Sequence, residues 1–360
     1  MPPALGIIMP LHHSDDRDPG IRRLGRGRRF RYVDDAGHPV RDRETLARIR
    51  ALAIPPAWTD VWIAPDADGH IQATGRDARR RKQYRYHTAW RLARDEVKYH
   101  RLAAFCRALP KLRAAVDRDL GCACLCKRKV VATVVSLLER AQLRVGNDEY
   151  TRANGSYGAT TLRDRHAKIE GATLELAYRS KGGVARHVRV TDRRLARIVR
   201  SCRDLPGQRL FQYIDGDDIR HITSTDVNDY IREATGGPFS AKDYRTWAAT
   251  LGTAMLLGTI ERPRTGREWK RRLRTVVEAV AERLGHTPVV CRASYIHPKL
   301  IDDFLADRLQ RRIGRQLRRR IGGDIAVSSD AIGADALRAI EPVVARYLEV
   351  GTRRAIAAGR

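Results

Sequence analysis

Between Gly75 and His87 the chain reads Gly-Arg-Asp-Ala-Arg-Arg-Arg-Lys-Gln-Tyr-Arg-Tyr-His, a spacing that interleaves cations with groups able to donate and accept hydrogen bonds. Arg76 and Lys82 are of the type that holds phosphate oxygens, and Gln83, Tyr84 and Tyr86 can reach a nucleic-acid backbone or the base edges of a groove. A charge run by itself is more often a solvated face. Lys181 stands in Ser180-Lys-Gly-Gly183, a Gly-bearing turn between two alternating runs, which puts its ammonium group at a hairpin tip. Cys122, Cys124 and Cys126 invite a metal reading, but their spacing is tighter than the usual zinc pattern and no second ligand pair is obvious nearby. The plainer reading is a Cys-rich loop before a helix. No Gly-x-x-x-x-Gly-Lys-Ser/Thr phosphate loop occurs, so ATP use is not indicated.

Elements of two kinds must position these groups. From about Arg22 to His87 the pattern is that of strands: Arg29-Phe-Arg-Tyr-Val33 alternates into a turn at Asp35-Ala-Gly37, and Val61–Ala64 and His70–Ala73 flank a turn over Pro65–Gly69. This predicts a small β-rich module with a hairpin. From Thr88 the period lengthens to that of helices, with Trp90, Val97, Leu102 and Phe105 separated by charged positions. Val130, Val131, Val134, Val135 and Leu138 mark a buried helical stripe behind Lys127-Arg-Lys129. Thr173–Tyr178 and His187–Val190 alternate as a short sheet around the turn that holds Lys181. Helices are predicted again over Asp192–Cys202, over Thr225–Ala234 behind a Ser224 cap, over Lys242–Leu257, and over Leu273–Leu284 with Gly285 as the stop. The segment from Lys299 carries an arginine block (Arg311, Arg312, Arg315, Arg318, Arg319, Arg320) and a last apolar helix over Ala336–Val350. The expected division is a tail over 1–20, a β-rich domain over 21–90, a mainly helical domain over 91–300 and an Arg-rich helical extension over 301–360, an α+β fold.

The 360 residues suffice for two cores, and 70 Lys and Arg against 42 Asp and Glu leave a net charge of +28. Self-repulsion of that size favours a partner that is a polyanion, and duplex DNA is the obvious one. RNA, a ribosome or anionic lipid would serve equally on charge alone. No run approaches the roughly 18 apolar residues of a membrane span, and the short apolar run Leu5–Pro10 has no charged region before it, so a cytoplasmic location is expected. The six cysteines then read as free thiols or ligands rather than disulfides.

Four separated segments, in order and over about residues 20–300, resemble the motifs of bacterial and poxvirus-like type IB DNA topoisomerases. Gly75–His87 is similar to the DNA-facing strand of that family's N-terminal domain. Leu143-Arg-Val-Gly-Asn-Asp-Glu-Tyr150 with Gly158-Ala-Thr-Thr-Leu162 resembles its Arg-x-Gly-Asn box and trailing Gly-x-Thr-Thr-Leu. Ser180-Lys-Gly-Gly-Val184 departs from the usual Gly-Lys-Ser-Gly-Lys but keeps the lysine. Ala241–Trp247 and Leu284–Tyr295 resemble the helices that carry a second arginine, a histidine and the nucleophile. The resemblance implies Tyr295 as nucleophile, Arg144, Arg245 and His286 around the scissile phosphate, Lys181 as general acid, and DNA contacts from Arg76, Lys82, Gln83, Tyr84, Tyr86, Tyr150 and Lys242. It also implies a fold of the tyrosine recombinase and topoisomerase IB type. The enzyme would be a nucleoid-associated monomer that clamps duplex DNA, with no ATP and no required metal, magnesium being at most a stimulant.

These five residue types suit one reaction. A tyrosine oxygen attacking a phosphodiester builds charge on the non-bridging oxygens, which two guanidinium forks and a histidine donor can meet. Guanidinium charge eases loss of the tyrosine proton, and a lysine can protonate the leaving alkoxide. The tyrosyl ester keeps the energy of the broken bond, so resealing is the same step reversed. Two rivals remain at this level. A tyrosine recombinase would usually carry histidine where Lys242 stands, three before the second arginine, and would have a helical N-terminal domain. A non-catalytic basic DNA- or RNA-binding protein would need only the charge.

Overall fold

The computed structural model describes residues 11–26 and 29–358, and the apolar run Leu5–Pro10 lies outside them. The chain divides into two compact units, residues 1–98 and 99–360.

In the first unit the alternating segments form β1 (Ile21–Arg26), β2 (Arg29–Val33), β3 (Thr59–Ile63), β4 (Ile71–Arg76) and β5 (Lys82–Tyr86), one antiparallel sheet in the order β2-β1-β3-β4-β5. Its small core joins Ile21, Val61, Ile63 and Ala73 to Ile49 of a helix, α1 (Arg43–Ala51), that the strand reading did not include. The helix buries only Ile49, so it has almost no apolar period to read; Asp42 starts it by accepting from the Thr45 N–H at 2.7 Å. Gly75–His87 is not one strand: β4 ends at Arg76, Asp77–Arg81 turns with Arg80 at φ 57°, and β5 returns. Residues 12–18 hold to this sheet, with Ser14 Oγ donating to the Ile71 carbonyl at 2.9 Å and Trp62 Nε1 donating to the Asp18 carbonyl at 3.0 Å.

In the second unit, helices follow on α2 (Thr88–Leu120): α3 (Lys127–Ala141), α4 (Asp148–Asn154), then β6 (Ala167–Glu170), β7 (Thr173–Arg179) and β8 (Ala185–Thr191) as a three-stranded sheet. Next come α5 (Arg193–Arg203), a hairpin of β9 (Gln212–Asp215) and β10 (Asp218–His221), α6 (Ser224–Thr235), α7 (Ala241–Thr259) and α8 (Gly266–Leu284). The unit closes with α9 (Pro288–Ser294), α10 (Pro298–Leu305), a π-helical turn at Gln310–Gly314, α11 (Arg315–Ile321) and α12 (Ala334–Ala358). The fold is α+β, and among the described residues no helix is long and apolar enough to cross a membrane.

Two helices form the centre. The stripe expected on α3 is a fully buried stretch from Val130 to Leu138, because α5, α6 and α7 surround it. Every residue of α7 is buried except Lys242. Three boundaries differ from the sequence reading. Thr223 rather than Ser224 caps α6, in a reciprocal box where the Thr223 N–H donates to Asp226 Oδ2 at 2.7 Å. Thr265 caps α8, which begins at Gly266, seven residues before Leu273, through a polar first turn. Leu284–Tyr295 is not one helix: α8 stops at Leu284, Gly285 turns the chain at φ 64°, and α9 ends at Ser294 with Tyr295 as its cap.

The C-terminal helices are fastened by buried charge. Asp303 accepts from Lys299 Nζ at 2.6 Å, Arg308 Nε at 2.7 Å, Arg312 Nη1 at 3.0 Å and Tyr347 Oη at 2.5 Å. Glu341 of α12 takes both Nη groups of Arg113 at 2.9 and 2.8 Å, and Arg113 Nε also reaches Glu139 at 2.7 Å.

Candidate active site

Arg144 lies on the strand-like segment after α3, which leaves its helix through Gln142 in the left-handed region (φ 53°). Its backbone is held by the Gly158–Leu162 segment: the N–H groups of Ala159 and Thr160 donate at 2.7 Å to the carbonyls of Arg144 and Val145. The two backbones cross at glycines, since a Cβ on Gly158 would stand 2.6 Å from Gly146 Cα, and Gly146 itself has φ 103°. This contact explains why an Arg-x-Gly-Asn box needs a glycine-led partner. Asn147 then caps α4 by accepting from the Tyr150 N–H at 2.8 Å.

The Arg144 guanidinium donates to Ser180 Oγ at 2.8 Å and to the Gly285 carbonyl at 2.9 Å, and Nη2 lies 3.2 Å from His286 Nδ1. His286 is aimed by the end of α8, where its N–H reaches back to the Ala281 carbonyl at 2.8 Å and Gly285 takes the left-handed turn. Arg245 on α7 donates to the carbonyls of Gln142 and, at 2.6 Å, Leu284, and its Nε is buried without a partner among the described residues. Its Cζ lies 5.8 Å from the centre of the Tyr295 ring. The Tyr295 and His286 rings are 4.3 Å apart. Thr250, also on α7, donates to the Tyr295 carbonyl at 3.3 Å and accepts from the His297 N–H at 3.3 Å.

Thus Arg144, Arg245, His286 and Tyr295 converge. Lys181 sits exposed at the β7–β8 tip with Nζ 5.5 Å from the Tyr150 ring centre. An open cleft of about 500 Å³ runs beside it, with Arg144, Asn147, Tyr150, Tyr157 and Lys181 in its walls. Sequence reading missed Ser180, Thr250 and Arg186, whose Nη1 donates to the Glu282 carbonyl at 3.2 Å and whose Cδ packs on Gly285. None of the three carries a pattern signal: a serine in a turn, a threonine inside a buried helix and one arginine among many look ordinary.

The site is strongly positive. Burial, then the charges of Arg245 and Arg144, push His286 down to about 3, and Lys181 and Arg186 act in the same direction. The ring is therefore neutral at ordinary pH, with Arg144 Nη2 lying 3.2 Å from Nδ1 and 3.5 Å from Nε2. Burial, reinforced by Arg144, brings Arg245 down to about 10, still a cation.

The other expected contacts lie elsewhere. Lys242 is exposed on the first turn of α7. In the first unit, Arg76 pairs with Asp60 at 3.7 Å, Lys82 with Asp16 at 2.6 Å, and Gln83 Nε2 donates to Asp77 at 2.9 Å. Tyr84 and Tyr86 stack at 5.8 Å on one face of β5. Among the described residues no cluster of His, Cys, Asp or Glu is arranged to hold a metal ion, Cys122, Cys124 and Cys126 included.

Residues 86–313 match the family model described as eukaryotic DNA topoisomerase I, catalytic core. The chain belongs to the type IB DNA topoisomerase family. Residues 29–77 of the enzyme match the bacterial DNA topoisomerase IB N-terminal domain. The enzyme is 33% identical over 285 residues to DNA topoisomerase 1B of Acanthamoeba polyphaga mimivirus, spanning 77% of this chain and 85% of that one. Among solved structures it is similar, at TM-score 0.33 and 16% identity, to the XerH site-specific recombinase in a post-cleavage complex with palindromic difH substrate. That likeness covers 52% of this topoisomerase and 47% of the recombinase chain.

Proposed function

We propose that the enzyme relaxes supercoiled duplex DNA without ATP or a required metal, by cutting one strand with Tyr295 and resealing it. Tyr295 Oη gives up its proton to solvent and attacks the phosphorus, the bond to the 5′ oxygen breaks, and the 3′ phosphate is held as a tyrosyl ester. Lys181 gives the departing 5′ oxygen its proton, and the reverse transesterification returns it. Arg144, Arg245 and His286 donate to the non-bridging oxygens, each preorganised donor worth about 3 to 4 kcal/mol. The protein acts as a monomer at the nucleoid, with Tyr150 and Lys242 on the DNA backbone, and with Arg76, Lys82, Gln83, Tyr84 and Tyr86 as contacts from the first unit.

The observation that carries this reading is the convergence of the buried Arg245, the half-buried Arg144 and a neutral histidine on the Tyr295 ring, with the Nε of Arg245, unpartnered among the described residues, as a donor in want of an oxygen. The test is relaxation of supercoiled plasmid without ATP or magnesium, with denaturation to trap covalent adduct. Wild type relaxes and leaves adduct; Tyr295→Phe binds DNA but does neither. Adduct persisting in Tyr295→Phe would move the nucleophile elsewhere.

A further inference from the structure

The matched catalytic core ends at residue 313, and α11 and most of the arginine block lie beyond it. This block splits into two chemically different sets. Arg311 pairs with Asp307, Arg312 with Asp303, and Arg318 with Asp324 while also donating to the Thr259 carbonyl at the end of α7. These arginines fasten the fold. Arg315, Arg319 and Arg320 on α11 and Arg346 on α12 are exposed, and among the described residues none has a carboxylate or other hydrogen-bond partner. No acidic residue lies within α11, and Arg315 and Arg319 stand at the i, i+4 spacing where like charges repel. Carboxylates are thus supplied to the structural arginines and withheld from these four.

The four line concave surfaces. A groove of about 130 Å³ between the helices is walled by Gln316, Arg319, Arg320, Pro342, Val343 and Arg346. A second cleft, of about 450 Å³, is walled by Arg315 and Gln316 together with the paired Arg311, Arg312 and Arg318 and with Gln310, whose amide already donates to the carbonyls of Leu257 and Ile260. Neither lining includes a carboxylate. Planar guanidinium forks with amide donors on a rigid base suit the repeated oxygens of a phosphate backbone. The face is also remote from the site above. Leu317 seats α11 on Gly258, thirteen residues along α7 from Arg245, about 20 Å at helical rise.

We propose that the α11–α12 face is a second duplex-binding surface, gripping the backbone of a DNA segment other than the one at Tyr295. The inference rests on the reading that the enzyme acts on duplex DNA. The test is the stoichiometry of a duplex of about 14 base pairs, titrated into the protein until binding saturates. Wild type is compared with R315Q/R319Q/R320Q/R346Q, in which glutamine keeps the helix propensity of arginine. Wild type should bind two duplexes per chain and the variant one, with single-turnover cleavage of the short duplex unchanged and the second site weakened at least tenfold. The salt slope of the second event should fall by about 0.9 for each arginine that meets a phosphate. One duplex per chain in both proteins, or two in both, would overturn the proposal. Tighter retention of polyglutamate than of duplex by the wild type would also overturn it and assign the face to an acidic protein. Two duplexes bound by a wild type that relaxes no plasmid would support it while overturning the cleavage reading.

Discussion

At the scale of single residues, the site separates groups that hold charge from the group that moves a proton. Arg144 and Arg245 are fixed by carbonyls and Ser180, whereas Lys181 is exposed and lies over the Tyr150 ring. If Lys181 is the acid, Lys181→Ala should slow cleavage by roughly 100- to 10,000-fold, and a substrate with sulfur as the bridging 5′ atom should recover much of that, since a thiolate leaves without a proton. Arg144→Ala and Arg245→Ala should recover less; equal recovery in all three would remove the assignment. His286 yields a pH prediction. Its folded value of about 3 lies below the ordinary 6.5, so as pH falls from 6.5 towards 3 the unfolded chain takes up a proton that the folded chain refuses. Stability contributed by the neutral ring is complete above about pH 6.5 and drains away below it. Urea unfolding at about pH 7 and about pH 4.5 should show a smaller loss for His286→Asn than for wild type, and an identical loss would contradict the half-buried neutral ring.

At the scale of elements, the glycine crossing gives the sharpest expectation. Gly158 has an ordinary extended backbone (φ −142°), so Gly158→Ala acts only through the methyl group driven into Gly146. It should cost about 1 to 3 kcal/mol in denaturant melts and depress cleavage more than DNA binding, because the displaced backbone carries Arg144. Legibility in the sequence followed buried period. Strands β7 and β8 and helix α5 show it, and β3, β4, α3 and α7 carry continuous buried runs; α1 buries one residue and β10 none, so neither announced itself. The site was legible through its motifs, and the crossing shows why they travel together. Gly285 announces the end of α8, whereas the separate start of α9 at Thr287-Pro288, which brings Tyr295 back to His286, is hidden inside a motif that runs through both.

At the scale of the whole molecule, a net charge of +28 has to be contained before any ligand arrives, and the second unit does so with a few buried carboxylates that each bind several cations. Glu341 is the informative one, joining α12 to Arg113 and to Trp247 Nε1 at 3.3 Å. Glu341→Ala should destabilise the enzyme by about 3 kcal/mol, the lower end for a broken buried pair because Glu139 stays with Arg113. Replacing both partners, as Arg113→Met with Glu341→Leu, should recover part of that loss in thermal melts, and no recovery would mean that packing rather than charge was removed. Helix α7 has a different consequence. It carries Arg245 and, five residues on, the Thr250 hydroxyl that tethers the Tyr295 backbone, and it is enclosed almost throughout its length. A body so enclosed is displaced as a unit, so thermal drift carries the guanidinium and the tyrosine's anchor in step. Their offset is a common-mode quantity, little altered by breathing of the surrounding protein. In the proposed cycle, an ester that waits while DNA turns would keep its alignment with the arginine throughout, and fidelity of resealing would then depend on the stiffness of one helix rather than on how long the break stays open.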